Sequence, residues 1–127
     1  MNKYKPSKEW FDQAGYDIDT AKAMFNAGRY IYTIFMCHLS IEKALKGIYI
    51  KRLNKNSPKT HDLSYLCEEI ALEMPEKFLI FLDELNDLSV PTRYPEELKE
   101  LLKQYKKADT GKALKMTEEL LLWLKKQ

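Results

Sequence analysis

The sequence predicts a single all-α domain over residues 1–127, an up-and-down bundle of about five helices. Apolar residues recur at helical spacing almost throughout the chain, whereas the alternating pattern of β-strands is not sustained beyond a few positions. A chain of 127 residues with 45% hydrophobic content can fill one core but not two independent ones. We therefore expect every helix to pack into one bundle.

The first two predicted helices are the longest. Helix 1 runs from about Ser7, as its N-cap, to Ala27 and ends at Gly28, and helix 2 continues from Arg29 or Tyr30 to about Leu53. At about 1.5 Å per residue each is above about 30 Å long. Because the link between them is short, they should form an antiparallel hairpin of the four-helix-bundle type.

Three shorter helices are predicted to follow. Their bounds are Thr60 or Asp62, as cap, to about Glu73; Pro75, in the first turn, to Asp87 or Leu88; and Asp109, as N-cap, to about Lys126. Two prolines argue against regular helix in the segment 89–95, and residues 96–105 have the composition of a further short helix.

The composition limits the class of protein. A net charge of +2 gives no support by itself for a strong nucleic-acid binder. No stretch approaches the roughly 20 apolar residues of a membrane span and none resembles a signal peptide, so we expect a soluble cytoplasmic protein that does not contact membrane. Cys37 and Cys67 lie among apolar neighbours without metal-ligand spacing, and we expect reduced core thiols with no metal or cofactor.

Charge is unevenly distributed along the chain. Six basic residues and no acid lie between Lys43 and Lys59, whereas nine acids lie between Glu68 and Glu97 against Lys77 and Arg93. The basic stretch fits either a local anion site or the ordinary preference of cations for a helix C-terminus and a solvated loop. The acidic stretch predicts a negative helix face.

Polar residues interrupt the apolar face of helix 2. His38 and Glu42 fall inside the apolar arc of a helical wheel, and Lys46 lies at its edge. A buried carboxylate needs a partner, so Glu42 and Lys46 form either a structural pair one turn apart or part of a site. His38 fits a hydrogen-bonded core residue.

The opposite arc of helix 2 is also apolar, with Tyr32, Met36, Gly47 and Ile50. This second apolar face favours a homodimer through the first two helices.

Two loop motifs carry further polar chemistry. Asp62 suits a helix cap, and His61 beside it is either a surface residue or a general acid or base. Arg93 is one of three arginines among 21 basic residues, and its bidentate guanidinium suits carboxylate or phosphate. Tyr94 either packs in the core or stacks on a base.

These motifs, taken in order, resemble a known family. The segments 41–47 (IEKALKG), 58–66 (PKTHDLSYL) and 92–95 (TRYP), with Trp10, the Ala21 region and Gly28-Arg29-Tyr30, resemble the HEPN domain, the higher eukaryote and prokaryote nucleotide-binding family. The resemblance implies a usually dimeric bundle that is a nucleotide-binding or nucleotidyltransferase-partner module, sometimes of a toxin–antitoxin pair. The implied site comprises Glu42, Lys46, His61, Asp62, Arg93 and Tyr94.

One feature of many HEPN ribonucleases is missing from the chain. They resemble one another in an arginine followed four to six residues later by a histidine, and none of the three arginines here has such a partner. We therefore favour binding of a nucleotide or RNA over catalysis. The alternatives are a metal-independent RNase that uses His61 and Arg93, and a non-catalytic helical adaptor whose polar motifs are interior salt bridges.

Overall fold

A computed structural model of the chain describes residues 5–93, 96 and 98–127, apart from the side chains of Val90 and Arg93. Over these residues the chain forms seven helices and no strand. They are α1 (Ser7–Asn26), α2 (Tyr30–Leu53), α3 (Leu63–Glu69), α4 (Glu76–Asp87), α5 (Ser89–Arg93), α6 (Leu98–Gln104) and α7 (Lys107–Lys125). The predicted all-α class is confirmed. In this described part, no helix is both long and apolar enough to cross a membrane.

The long hairpin of α1 and α2 is the centre of the fold. The two helices have 20 and 24 residues and are joined through Gly28, whose φ of 75° lies in the left-handed region that glycine adopts without a steric penalty. Helix α7 packs against both of them, and α3, α4 and α5 pack on α2. Because α2 contacts all of these helices, its side chains meet several other parts of the chain.

Small residues let α1 and α2 approach closely. The hydroxyl of Ser40 donates to the Ala14 carbonyl at 2.7 Å, and the hydroxyl of Ser7 donates to the Gly47 carbonyl at 2.8 Å. A Cβ atom at Gly47 would lie only 2.9 Å from Cε2 of Phe11. At this point α2 therefore has no room for a side chain.

This packing covers most of the second apolar arc of α2. Gly47 and Ile50 are buried by the chain itself, Met36 is half-buried, and Tyr32 is exposed. The arc on which we based the homodimer is thus largely accounted for within one chain, and the dimer stays a prediction from the family resemblance.

The core is one hydrophobic cluster drawn from α1, α2, α3, α4 and α7. Its fully buried large side chains include Ile41, Leu45, Ile48, Leu63, Leu66, Leu82, Leu85, Leu120 and Leu124. Cys37 and Cys67 are buried in it as free thiols, as expected. Burial in apolar surroundings raises the pKa of each thiol to about 12.

Two predicted N-caps lie inside helices. Helix α1 begins at Ser7 after Pro6, and the Ser7 hydroxyl binds the Gly47 carbonyl instead of capping its own helix. Helix α7 begins at Lys107 with Lys106 as N-cap, so Asp109 occupies the first turn. In the first turn the Asp109 carboxylate still interacts favourably with the helix dipole. The predicted start of α7 is therefore within one turn of the observed start.

Helix α3 ends at Glu69, four residues earlier than predicted. The N–H of Leu72 donates to the Cys67 carbonyl and the N–H of Ala71 to the Glu68 carbonyl, each at 3.1 Å. This is the Schellman arrangement that closes a helix, and it requires a left-handed residue, here Ala71 with a φ of 50°. Alanine gives no sequence signal for such a stop.

The prediction that no helix forms near Pro91 was wrong. Helix α5 includes Pro91 as its third residue, where the missing N–H removes no intrahelical hydrogen bond. The N–H of Thr92 donates to the Leu88 carbonyl at 3.2 Å, and the Thr92 hydroxyl donates to the same carbonyl at 2.7 Å. The predicted short helix in residues 96–105 is present as α6.

Candidate functional site

The site is built around the buried carboxylate of Glu42, which is 3% exposed. Its Oε2 atom accepts a hydrogen bond from Nζ of Lys46 at 3.1 Å, one turn further along α2. Its Oε1 atom lies 2.8 Å from Nδ1 of His61. Burial weakens the hydration of a carboxylate, and hydrogen-bonding partners such as Lys46 and His61 compensate for that loss. The structure thus brings together three of the predicted site residues.

His61 reaches Glu42 from the loop that precedes α3. Its side chain is 61% exposed although the carboxylate that it contacts is buried. An ionised carboxylate accepts the hydrogen bond, so the proton of a neutral imidazole lies on Nδ1 and the lone pair on Nε2. His61 is therefore held through Nδ1 on a side chain that is otherwise largely exposed.

A network at the start of α3 fixes this loop. The Asp62 carboxylate accepts from the N–H of Tyr65 and from the amide of Asn86, each at 3.1 Å. The Asn86 side-chain oxygen accepts from the N–H of Leu63 at 2.8 Å. Asp62 is thus the cap of α3, as the sequence allowed, and its predicted role in ligand binding stays a prediction. The network holds His61 next to α2.

An indole ring forms another part of the site. Nζ of Lys46 lies 5.6 Å and Nζ of Lys5 4.0 Å from the centroid of the Trp10 ring. Both distances allow attraction between an ammonium group and the negative face of the ring. Two ammonium groups with one carboxylate give the cluster a net positive charge even while His61 is neutral, so it favours an anion.

The sequence did not identify Trp10 and Lys5 as members of the site. We assigned Trp10 to the apolar stripe of helix 1. A signal was available, because Trp10 and Lys46 each stand 18 positions from Gly28 and an antiparallel hairpin places such residues opposite each other.

The remaining predicted residues differ in what the structure says of them. His38 is 1% exposed, with Nδ1 3.8 Å from Oε1 of Glu42, so it lies behind the carboxylate in the core. The side chain of Arg93 and all of Tyr94 lie outside the described residues. Helix α5, which ends at Arg93, packs on α2. Their roles as phosphate clamp and stacking surface stay predictions.

The described residues offer no metal centre. Among them, no group of three or more histidine, cysteine, aspartate or glutamate side chains is placed to hold a metal ion. What this cluster provides is a set of hydrogen-bond donors, a buried carboxylate and a cation-binding ring, which suits the recognition of an anionic group.

Comparison with known proteins identifies the family. The HEPN domain model matches residues 7–127, nearly the whole chain, so the chain belongs to the HEPN family. It is similar in fold to TT1696 from Thermus thermophilus, with 21% identity, a TM-score of 0.82 and coverage of 94% of this chain and 96% of that one. It is also similar to ST0689, an archaeal HEPN homologue, with 24% identity, a TM-score of 0.78 and 98% coverage of each chain. No curated protein matches the chain significantly.

Proposed function

We propose that this HEPN protein is a nucleotide-binding module in which Lys46 and His61 contact phosphate. The observation that carries the proposal is that buried Glu42 holds both side chains, at 3.1 and 2.8 Å, although they come from different parts of the chain. A binding site benefits from such preorganisation because less side-chain entropy is lost when the ligand arrives.

The charge of the cluster supports the same proposal. Lys46 donates to phosphate through an ammonium group, and His61 donates through Nε2 when it is protonated. Lys5 adds a second cation above the Trp10 ring. In the full proposal, Arg93 supplies a bidentate phosphate contact and Tyr94 stacks on the base.

Nucleotide titration with thermal unfolding tests this proposal. A nucleotide at 100 times its dissociation constant should stabilise the folded protein by about 2.7 kcal/mol. His61→Gln should reduce the shift without unfolding the protein, since the side chain is mostly exposed. Lys51→Gln, an exposed position on the same helix, is the matched control and should retain the shift. Absence of any shift at millimolar nucleotide would remove the proposal.

A metal-independent RNase is the second candidate, and the 2.8 Å contact between Glu42 and His61 favours it. A base oriented by a carboxylate through Nδ1 can accept a proton at Nε2. In this reaction Nε2 takes the proton of an RNA 2′-hydroxyl, and the 2′-oxygen attacks the adjacent phosphorus. The products are a 2′,3′-cyclic phosphate and a 5′-hydroxyl protonated from water, with Arg93 stabilising the charge. RNA cleavage that persists after His61→Ala would eliminate this mechanism.

The assembly state is a further part of the proposal. The family resemblance implies a homodimer with a nucleotidyltransferase partner, sometimes within a toxin–antitoxin pair, and we place this protein in the cytoplasm as part of the proposal. Light scattering on the purified protein tests the dimer, and co-purification with the product of a neighbouring nucleotidyltransferase gene tests the partner. If Lys46→Gln lowers stability and no nucleotide, RNA or nucleotidyltransferase binds, the helical adaptor is the better description.

A further inference from the structure

A groove lies between α3 and α4, and Glu42 is not among the residues that line it. Its volume is about 430 Å³, and its lining comes from α3, the following turn and α4. Cys67, Leu72 and Leu82 are buried residues in this lining, and Leu79 exposes 42% of its surface. The α3–α4 groove therefore combines an apolar floor with an accessible leucine, which is suitable for an apolar side chain of another molecule.

The rim of the α3–α4 groove is acidic. Glu68 and Glu73 line one side and Asp83 the other, all three are exposed, and no basic residue is among the described residues of the lining. The negative charge of the rim acts on Cys67 at the bottom of the groove. After burial, the carboxylates of Asp83 and Glu68 are the next causes that raise the pKa of Cys67. The groove is thus negative as well as apolar.

We propose that the α3–α4 groove binds a cationic amphipathic helix of a partner protein. Apolar side chains on one face of that helix contact Leu79 and Leu82, and flanking lysine or arginine residues contact Glu68, Glu73 and Asp83. Helices that dock in grooves use anchors spaced three or four residues apart, and complementary charge selects among them. The three carboxylates disfavour nucleotides, RNA and anionic lipid on this surface.

A second copy of this chain suits the groove less well than a separate partner. The basic stretch between Lys43 and Lys59, which contains no acid, is one cluster of cations in the chain itself. Within it, Lys43 pairs with Asp17 at 2.8 Å and Lys46 with Glu42 at 3.1 Å. The other four, Lys51, Arg52, Lys55 and Lys59, are exposed but lie in the last turn of α2 and in the loop after it, so they do not form one face of an amphipathic helix.

Peptide binding to the full chain tests the proposal. The probe is a labelled synthetic helix with leucine at every third or fourth position and lysine elsewhere, and its control carries glutamate in place of lysine. The lysine peptide should bind, with amide NMR shifts confined to α3, α4 and the turn between them. Glu68→Lys with Glu73→Lys should weaken its dissociation constant by at least about tenfold, equal to about 1.4 kcal/mol.

Further variants separate the groove from general charge effects. Leu79→Ser should also weaken the lysine peptide and should leave the fold intact because Leu79 is exposed. Asp19→Lys, a charge reversal on α1, is the matched control and should bind as the unchanged protein does. Equal binding of both peptides, or shifts outside the groove, overturns the proposal. Self-association that Leu79→Ser abolishes also overturns it, because the occupant is then a second copy.

Discussion

Nδ1 of His61 lies 2.8 Å from Oε1 of Glu42, so an exposed imidazole is held by a buried carboxylate 19 positions away in the sequence. The same carboxylate binds Lys46, which is also buried. One glutamate thus organises the two basic groups that we propose to contact phosphate. The stability of the protein and the shape of the site are linked through it.

Lys46→Met should lower the free energy of unfolding by about 3 kcal/mol, because it leaves the Glu42 carboxylate buried without its ammonium partner. Lys51→Met, at an exposed position of α2, should change it by less than about 0.5 kcal/mol. Urea unfolding measures both. Adding Glu42→Gln to Lys46→Met removes the buried charge and should recover part of the loss; a double variant as unstable as the single one would contradict this explanation.

Gly47→Ala should destabilise the protein by about 1–3 kcal/mol, because its Cβ atom would lie 2.9 Å from Phe11 and 3.3 Å from the Ser7 carbonyl oxygen. Gly15→Ala is the control: a Cβ atom at Gly15 would meet no atom of a neighbouring helix or side chain within 4 Å, and alanine should stabilise α1 by about 0.5–1 kcal/mol. The midpoint denaturant concentrations of the two variants, each compared with that of the unchanged protein, measure the two effects. A gain of similar size at both positions would show that helix propensity, and not the contact with α1, decides the result.

Ala71→Gly should stabilise the protein by about 0.5 kcal/mol. The left-handed φ of 50° penalises alanine, and relief of that strain exceeds the extra chain entropy that glycine has when unfolded. The same exchange at exposed Ala23, inside α1, should instead cost about 1 kcal/mol. The midpoint temperature of unfolding should therefore rise for Ala71→Gly and fall for Ala23→Gly. A change of the same sign in both variants would count against a Schellman motif at Ala71.

The two buried thiols should make folding sensitive to alkaline pH. Burial raises the pKa of Cys37 and of Cys67 from 9.0 to about 12, so the folded state holds these protons more tightly than the unfolded state does. Their stabilising contribution is complete below pH 9 and is lost as pH rises toward 12, by about 1.4 kcal/mol per pH unit for each thiol.

The comparison protein is the Cys37→Ala, Cys67→Ala variant. Its free energy of unfolding should differ from that of the unchanged protein by a constant amount below pH 9 and by a steadily changing amount above it. A difference that is independent of pH across this range would mean that the thiols ionise equally easily in both states.

The helical wheel explains why part of the site could be predicted from the sequence. It placed Glu42 and His38 on the buried face of α2, and it placed Lys46 one turn from Glu42, because these relations depend only on helical geometry. Asp62 as a cap depends only on the local chain. The resemblance to the HEPN domain, a family that the match over residues 7–127 confirms, added His61 to the same candidate site.

The contacts that the sequence did not reveal depend on tertiary packing. Nothing local to Ser7 says that its hydroxyl will bind Gly47 instead of its own helix, and nothing local to Asn86 says that it will hold the start of α3. The prediction at Pro91 was wrong because proline is unfavourable in the interior of a helix. Helix α5 has only five residues and therefore no interior. The contacts of Ser7 and Asn86 depend on how the helices pack against one another, and the periodicity of apolar residues does not predict that.

The close approach at Gly47 has a consequence for genetics. Gly47 follows Lys46 directly. The first turns of α1 that rest on it include Trp10, and Lys5 lies two residues before α1 begins. A larger residue would push these turns outward and widen the space between the indole and the lysine. A random screen for loss of ligand affinity should therefore recover substitutions at a position whose residue has no side chain with which to touch a ligand.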